Sequence, residues 1–290
     1  MTENLENKVI AVVGPTASGK TSYAIELAQK LGGEIVSADS RLVYKGFDIG
    51  TAKPTLEERS GIPHYMIDIV EPEVDYSVGL YADEAKKVIR NILSRGKVPI
   101  VVGGTGLYLN VLLMNYDLPG VEPDYELREK LRGADNLYEI LSDLDIEAAK
   151  TIDKNDRKKL IRAIEVVKST GLPLSQVRGK KSEEFEVEWF GLNFPRDILY
   201  SRINERVDLM VKNGLVEETE HLLKKHARIN NLLYTIGYQE MIAYLDGLLT
   251  LEDAMDKLKQ NTRRYAKRQL TWFRKNPAIK WNFYPEKLKK

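Results

Sequence analysis

The chain has 290 residues, 43% of them apolar and 30% charged, with a formal net charge of +1 at pH 7. That balance belongs to a soluble globular protein with one large domain or a core plus an insertion, and it confines any nucleic-acid binding to local patches. There is no cysteine, which excludes disulfides, thiol catalysis and cysteine-ligated zinc or iron–sulfur sites. The three histidines, His64, His221 and His226, lack metal-ligand spacing, and the last two stand in a charged helical stretch and read as solvated. The polar start and the short apolar run after it are too brief for a signal peptide or a membrane span, so the expectation is a cytoplasmic protein.

The apolar run at residues 9–13 predicts a buried strand. The eight residues after it, Gly14, Pro15, Thr16, Ala17, Ser18, Gly19, Lys20 and Thr21, fit G-x-x-x-x-G-K-[ST] at every position. A helix follows, with Ala24, Leu27, Ala28 and Leu31 on one face and a stop at Gly32 and Gly33. This arrangement turns successive backbone N–H groups and the positive end of a helix dipole toward phosphate oxygens. Lys20 can reach a terminal phosphate and Thr21 can ligate Mg²⁺. The loop reads as a binding site for a di- or triphosphate.

A second strand over residues 34–38 ends at Asp39, at the carboxyl edge of a parallel sheet, where ligands bind. Three roles stay open for Asp39: a second-shell Mg²⁺ ligand, a general base, or a cap of the following turn. Ser40, Arg41 and Leu42 would line the same crevice. Residues 49–54, IGTAKP, fit either a ligand-facing loop or a plain surface loop. A helix over 81–93 would bury Ala82, Ala85, Val88, Ile89 and Ile92. A third strand over 98–102 leads into Gly103, Gly104, Thr105 and Gly106, a cluster that would let the backbone and the Thr105 hydroxyl approach a ligand.

From 118 to about 181 the pattern is helical and highly charged. Its clearest helix starts at Asp156, buries Leu160, Ile161, Ile164 and Val167, and ends at Gly171 and Pro173. Residues 179–188 read as a charged connection, 187–194 as a fourth strand, and the rest as helical with breaks at Gly214, Gly237 and Gly247. Residues 263–275 hold six positive charges and no negative one. Arg264, Lys267, Arg268, Thr271 and Lys275 share one helical stripe, with Leu258, Tyr265, Ala266, Leu270 and Phe273 facing the core. Cations interleaved with aromatics suit phosphate tracking and base stacking on single-stranded RNA.

The fold class that follows is α/β: a P-loop NTPase-like parallel sheet flanked by helices, with a helical insertion domain. The expected boundaries are 1–117 for the first part of the core, 118–185 for the insertion, and 186–290 for the rest of the core with its basic C-terminal helices.

Taken in order, GPTASGKT (14–21), SADSRLVYKGFDIGTAKP (37–54), VGGTGLYL (102–109), NDRKKLIRAIEV (155–166), LYSRINERVDLM (199–210) and RRYAKRQLTWF (263–273) make the chain resemble the bacterial tRNA dimethylallyltransferases, also called tRNA isopentenyltransferases. The resemblance spans nearly the whole chain. It implies transfer of a dimethylallyl group from dimethylallyl diphosphate to the exocyclic amine of the adenine just 3′ of a tRNA anticodon. The phosphate loop, with Lys20 and with Mg²⁺ on Thr21, would then hold the leaving diphosphate. By the same resemblance Asp39 is the general base, Thr105 touches the tRNA at the channel, and the adenine leaves its stack to enter. Arg128, Arg157 and Arg162 of the insertion would clasp the anticodon stem-loop together with the C-terminal helix. Arg202 or Arg206 would add positive charge at the diphosphate. Leu42 stands where many members carry Gln, and its side chain cannot hydrogen-bond.

Other readings share parts of this pattern. A small-molecule kinase binding ATP has the same loop and sheet but gives the basic C-terminal helix no purpose. An adenylate isopentenyltransferase should lack the insertion and the basic tail. A non-catalytic, nucleotide-gated RNA-binding module leaves Asp39 without a role. No interface signal stands out, so the expected state is a monomer.

Overall fold

The computed structural model of the chain describes residues 7–114, 116, 118–177 and 184–283. These form two compact units, one made of Met1–Leu113 with Glu184–Lys290 and the other of Met114–Glu183. The first unit begins with β1 (Lys8–Val13), α1 (Lys20–Leu31), β2 (Glu34–Ser37), β3 (His64–Tyr65), α2 (Val78–Ser94), β4 (Pro99–Gly103) and α3 (Gly106–Leu113). The second holds α4 (Tyr125–Arg132), α5 (Leu137–Leu144), α6 (Ile146–Thr151), α7 (Arg157–Thr170) and α8 (Leu174–Val177). The chain then returns to the first unit with β5 (Glu186–Asn193), α9 (Arg196–Lys212), α10 (Leu215–His226), α11 (Asn230–Leu233), α12 (Tyr238–Leu245), α13 (Leu251–Phe273) and β6 (Lys280–Phe283).

The first unit is built on one six-stranded sheet of order β3-β2-β4-β1-β5-β6, with every neighbouring pair parallel. Ile10 of β1 lies opposite Ile100 of β4 on one side, and Val9 opposite Val187 of β5 on the other. Helices cover both faces of such a sheet, so its central strands are continuous apolar runs, and all of β4 is buried. Two strands were not legible: β3 is two residues long, and β6 carries the mixed pattern KWNF. Helix α1 packs Ala24, Ile25 and Ala28 on Val12, Ile35, Ile100 and Leu192. Leu31, expected on that face, is 47% exposed; it ends the last turn, where Gly32 (φ 63°) already redirects the chain.

Helices α9, α10, α12 and α13 enclose a second core around Tyr44, Phe47, Val207, Leu215, Leu222, Tyr238, Met241 and Leu258. His226, expected to be solvated, is buried at the end of α10 with its Nδ1 2.5 Å from Glu73 Oε1, whereas His221 is exposed. The C-terminal helix is longer than its basic stretch. It starts where the Thr250 side chain caps Asp253 N, and it buries Ala254, Leu258, Ala266, Gln269 and Phe273, with Tyr265 and Leu270 half-buried.

The second unit has its own core of Leu131, Leu137, Leu141, Leu160, Ile164 and Val166. Helix α7 is capped by Asp156, which accepts from Lys159 N, and ends at Gly171 with φ 68°. Ile161, expected inside, is half-buried. The buried Glu165 carboxylate accepts from Arg128 Nε at 2.8 Å and Nη2 at 2.9 Å, from Asp124 N at 2.7 Å, and from Arg162 Nη1. Arg157 Nη2 donates to the carbonyls of Arg132 at 2.9 Å and Ala134 at 2.7 Å. All three arginines expected to face tRNA thus have partners inside this unit. Residues 179–183 of the expected charged connection lie outside the described residues, and its end, from Glu186 to Glu188, belongs to β5.

At the amino end of β2, away from the ligand edge of the sheet, the Glu34 carboxylate is 1% exposed. It accepts from Arg95 Nη1 at 2.7 Å and Nη2 at 2.6 Å, from Lys97 Nζ at 2.7 Å and from the Tyr65 hydroxyl at 2.9 Å. The Arg95 hydrogen bonds above all, with those of Lys97 and Tyr65, hold its pKa at about 2 against the cost of burial. An unfolded glutamate titrates near ~4.3. The stabilisation is therefore complete above about pH 4.3 and is withdrawn as the pH falls toward 2. Glu34→Gln should flatten the fall of Tm between pH ~5 and ~2.5, and Glu34→Ala should cost about 1–3 kcal/mol at neutral pH, both measurable by thermal and urea unfolding followed by circular dichroism.

Candidate active site

The carboxyl ends of β1, β2 and β4 open into a cavity of about 510 Å³ within the first unit. Its floor is the loop between β1 and α1. Gly14 has φ 155°, and a Cβ there would sit 2.4 Å from the Leu192 carbonyl oxygen, so no larger residue fits against β5. Gly19 caps α1 at φ 77°. Thr16, Lys20 and Thr21 face the cavity, while Pro15, Ala17 and Ser18 build the turn behind them.

Three cations converge on this loop. Lys20 Nζ donates to the Pro15 carbonyl at 3.1 Å, and burial lowers its pKa to about 8 despite the opposing pull of Asp39. Arg202 Nε donates to the Ala17 carbonyl at 2.9 Å, and its guanidinium lies 4.7 Å from the centre of the Phe194 ring. Arg206 reaches Thr16 Oγ1 at 3.5 Å and faces the cavity, and burial holds its pKa below the ordinary value. Charged groups that are buried without a matching anion are displaced in this direction, so the loop is set up to receive negative charge. The two arginines divide the work: Arg202 braces the loop and Arg206 faces the cavity.

Asp39 stands across the cavity. Its Oδ1 accepts from Arg41 N at 2.9 Å, a turn-capping bond that fixes the carboxylate in place. Ser40 N donates to Thr105 Oγ1 at 3.1 Å, and the Thr105 hydroxyl also meets the Tyr265 side chain. Burial pushes the Tyr265 phenol up to about 12, so it stays a hydrogen-bond donor throughout the physiological range. Thr105 itself does not line the cavity; it ties together Ser40 and Tyr265, which do. Of the glycines around it Gly103 lines the cavity, and all three sit in close packing. A Cβ would lie 2.1 Å from the Ala38 carbonyl at Gly103, 2.1 Å from Gln269 Nε2 at Gly104, and 2.2 Å from Trp272 Cδ1 at Gly106.

The remaining walls are apolar or polar-neutral. Ile203, Val207 and Met210 of α9 and Leu258 of α13 supply an apolar side, and Gly50, Thr51, Ala52 and Pro54 close it from the loop at 49–54. Of the two readings for that loop, the ligand-facing one fits. Glu218 fixes it by accepting from Ile49 N at 2.8 Å, Gly50 N at 3.0 Å and the Tyr238 hydroxyl at 2.7 Å. Ser40, Arg41 and Leu42 line the mouth with Arg268, whereas Arg264 and Lys267 stay outside on the exposed face of α13. Gln269, Tyr265 and Glu218 were missed in the sequence. Gln269 alone left a signal, a polar residue on the otherwise apolar face of α13.

Among the described residues no cluster of three or more His, Asp or Glu side chains could hold a metal ion. The oxygen donors at hand include the Thr21 hydroxyl and the Asp39 carboxylate. This sparse, hard set fits Mg²⁺, which keeps several waters and takes other ligands from substrate phosphates.

Residues 42–276 match the family described as IPP transferase. A tRNA dimethylallyltransferase of Pelotomaculum thermopropionicum is 47% identical over 288 residues, covering 96% of this chain and 91% of that one. The chain belongs to the tRNA dimethylallyltransferase family. Among solved structures, the full-length tRNA isopentenylpyrophosphate transferase of Bacillus halodurans aligns with TM-score 0.73 and 43% identity over 96% of this chain and 90% of its own. A eukaryotic dimethylallyltransferase acting on tRNA aligns with TM-score 0.82 and 31% identity over 92% of this chain and 70% of its own. Family and fold thus agree, and in this chain the phosphate loop sits on a sheet of P-loop type.

Because Lys20 binds an anion only when protonated, its position near 8 predicts a pH step. Pyrophosphate affinity should fall roughly tenfold for each pH unit above about 8, measured by titration calorimetry. Lys20→Arg, which stays charged, should lack that step.

Proposed function

We propose that this protein transfers a dimethylallyl group from dimethylallyl diphosphate to the exocyclic amine of the adenine just 3′ of the anticodon in tRNA. The observation that carries this reading is the opposition, inside one cavity, of an under-neutralised cationic loop at Lys20 and Arg206 to a single carboxylate, Asp39.

The diphosphate rests on the loop, where backbone N–H groups, Lys20 and Arg206 meet its oxygens. The branched apolar tail lies against Ile203, Val207, Met210 and Leu258. The amine nitrogen attacks the allylic carbon, forming the new C–N bond while the C–O bond breaks and its electron pair leaves on the diphosphate. Positive charge on the loop stabilises that leaving group, and Asp39 accepts the proton that the amine gives up. The Thr21 hydroxyl would hold Mg²⁺, which when bound would supply further charge neutralisation for the leaving group. The adenine amine is a weak nucleophile, so the rigid placement of Asp39 by the Arg41 N–H supplies acceleration through orientation.

Arg264 and Lys267 on the outer face of α13 and Arg268 at the cavity mouth are exposed, and they form the grip on the anticodon stem-loop. Arg128, Arg157 and Arg162 act on tRNA through the shape of the insertion, since their guanidinium groups hold Glu165 and three backbone carbonyls there.

Incubating unmodified tRNA with the protein, dimethylallyl diphosphate and Mg²⁺, followed by mass analysis of the nucleosides, should show dimethylallyl adenosine. Product on free AMP and none on tRNA would overturn the reading. Asp39→Ala should keep the fold and both substrate affinities while single-turnover rates fall by roughly two to four orders of magnitude. Replacing Arg264, Lys267 and Arg268 together by Ala should lower the salt slope of stem-loop binding by up to about three units. The Michaelis constant for dimethylallyl diphosphate should barely change in that variant.

A further inference from the structure

Two of the cavity's loops, each following a different strand, are joined by one side chain from the far end of the chain. Gln269 is 5% exposed on the inner face of α13. Its Oε1 accepts from Thr16 N at 2.8 Å, across 253 residues of sequence. Its Nε2 donates to the Gly104 carbonyl at 3.0 Å, across 165 residues. Gly104 is open to it because any Cβ there would lie 2.1 Å from Nε2. One turn earlier on the same helix Tyr265 holds Thr105.

We propose that Gln269 is a positioning residue that sets the phosphate loop for diphosphate before any ligand arrives. The inference rests on the diphosphate reading of that loop given above. The amide is suited to this place because it offers an acceptor and a donor at once without charge. A glutamate there cannot donate to Gly104 and would set a negative charge against a loop made for anions. An apolar residue would leave both the Thr16 N–H and the Gly104 carbonyl unpaired, in a region where unmade hydrogen bonds are costly. The loop's N–H groups then lose their fixed aim, and binding has to order them first.

The test compares Gln269→Glu with wild type by calorimetric titration of pyrophosphate without tRNA, alongside Tm and the Kd for an anticodon stem-loop. Pyrophosphate affinity should drop about tenfold or more at pH ~7.5, with stem-loop affinity within about twofold. As the pH is lowered toward ~5 the variant should regain affinity relative to wild type, since a protonated glutamic acid again presents both a donor and an acceptor. That recovery is one a merely structural role would not produce. Equal pyrophosphate affinity at both pH values, or a loss of all ligands in proportion to Tm, overturns the proposal. If the glutamate variant does not fold, Gln269→Met takes its place, with the same selective loss expected for pyrophosphate and an equal loss for both ligands counting against it. Should wild type bind pyrophosphate yet transfer nothing from dimethylallyl diphosphate, the transferase reading fails while this comparison still decides the role of Gln269.

Discussion

Burying the Lys20 ammonium and the Arg206 guanidinium beside Asp39 leaves the cavity with more positive charge than it can neutralise from within. Much of the surrounding architecture follows from holding that imbalance in place. Arg202 ties down the loop through the Ala17 carbonyl and rests on the Phe194 ring, and Gly14 lets the loop pass flush against β5. Asp39 is prevented from swinging toward the cations by its bond to Arg41 N. A carboxylate free to collapse onto Lys20 would quench the anion site and lose its own reach toward an attacking amine.

The phosphate loop, the strand before it and the acid at the end of β2 were legible because each is a local pattern: an apolar run, a spaced glycine-lysine motif, a charge where a strand stops. The helix caps at Asp156 and Gly171 were legible for the same reason. What stayed hidden depends on partners far away in sequence. Glu165 stands one helical turn from Arg162, but nothing near Arg128 tells that the same carboxylate is buried between the two, and the resemblance had these arginines facing tRNA. His226 looked solvated in its charged stretch until Glu73, 153 residues earlier, supplied a partner at the end of α10.

The glycine cluster at Gly103, Gly104 and Gly106 shows the limit in another way. Its presence after a strand suggested a close approach to ligand; Gly103 does line the cavity, and the closest neighbours of the three glycines are Ala38, Gln269 and Trp272. The sequence reports that space is scarce at such a place and leaves the identity of the neighbour to tertiary packing. Helix α13 likewise displayed its exposed cations plainly, while Gln269 and Tyr265 on the other side carry the connection to Thr16 and Thr105.

The strand order gives the chain an unusual history of assembly. β1 and the phosphate loop precede the second unit in sequence, yet β1 pairs with β5, which follows it. Gly14 is seated against Leu192, and Thr16 is secured only once Gln269 has been made. Contacts of such long sequence separation close late, after helices with local contacts have formed. The phosphate loop is therefore a local motif whose final shape is set by two contacts of long sequence separation, with Leu192 and with Gln269.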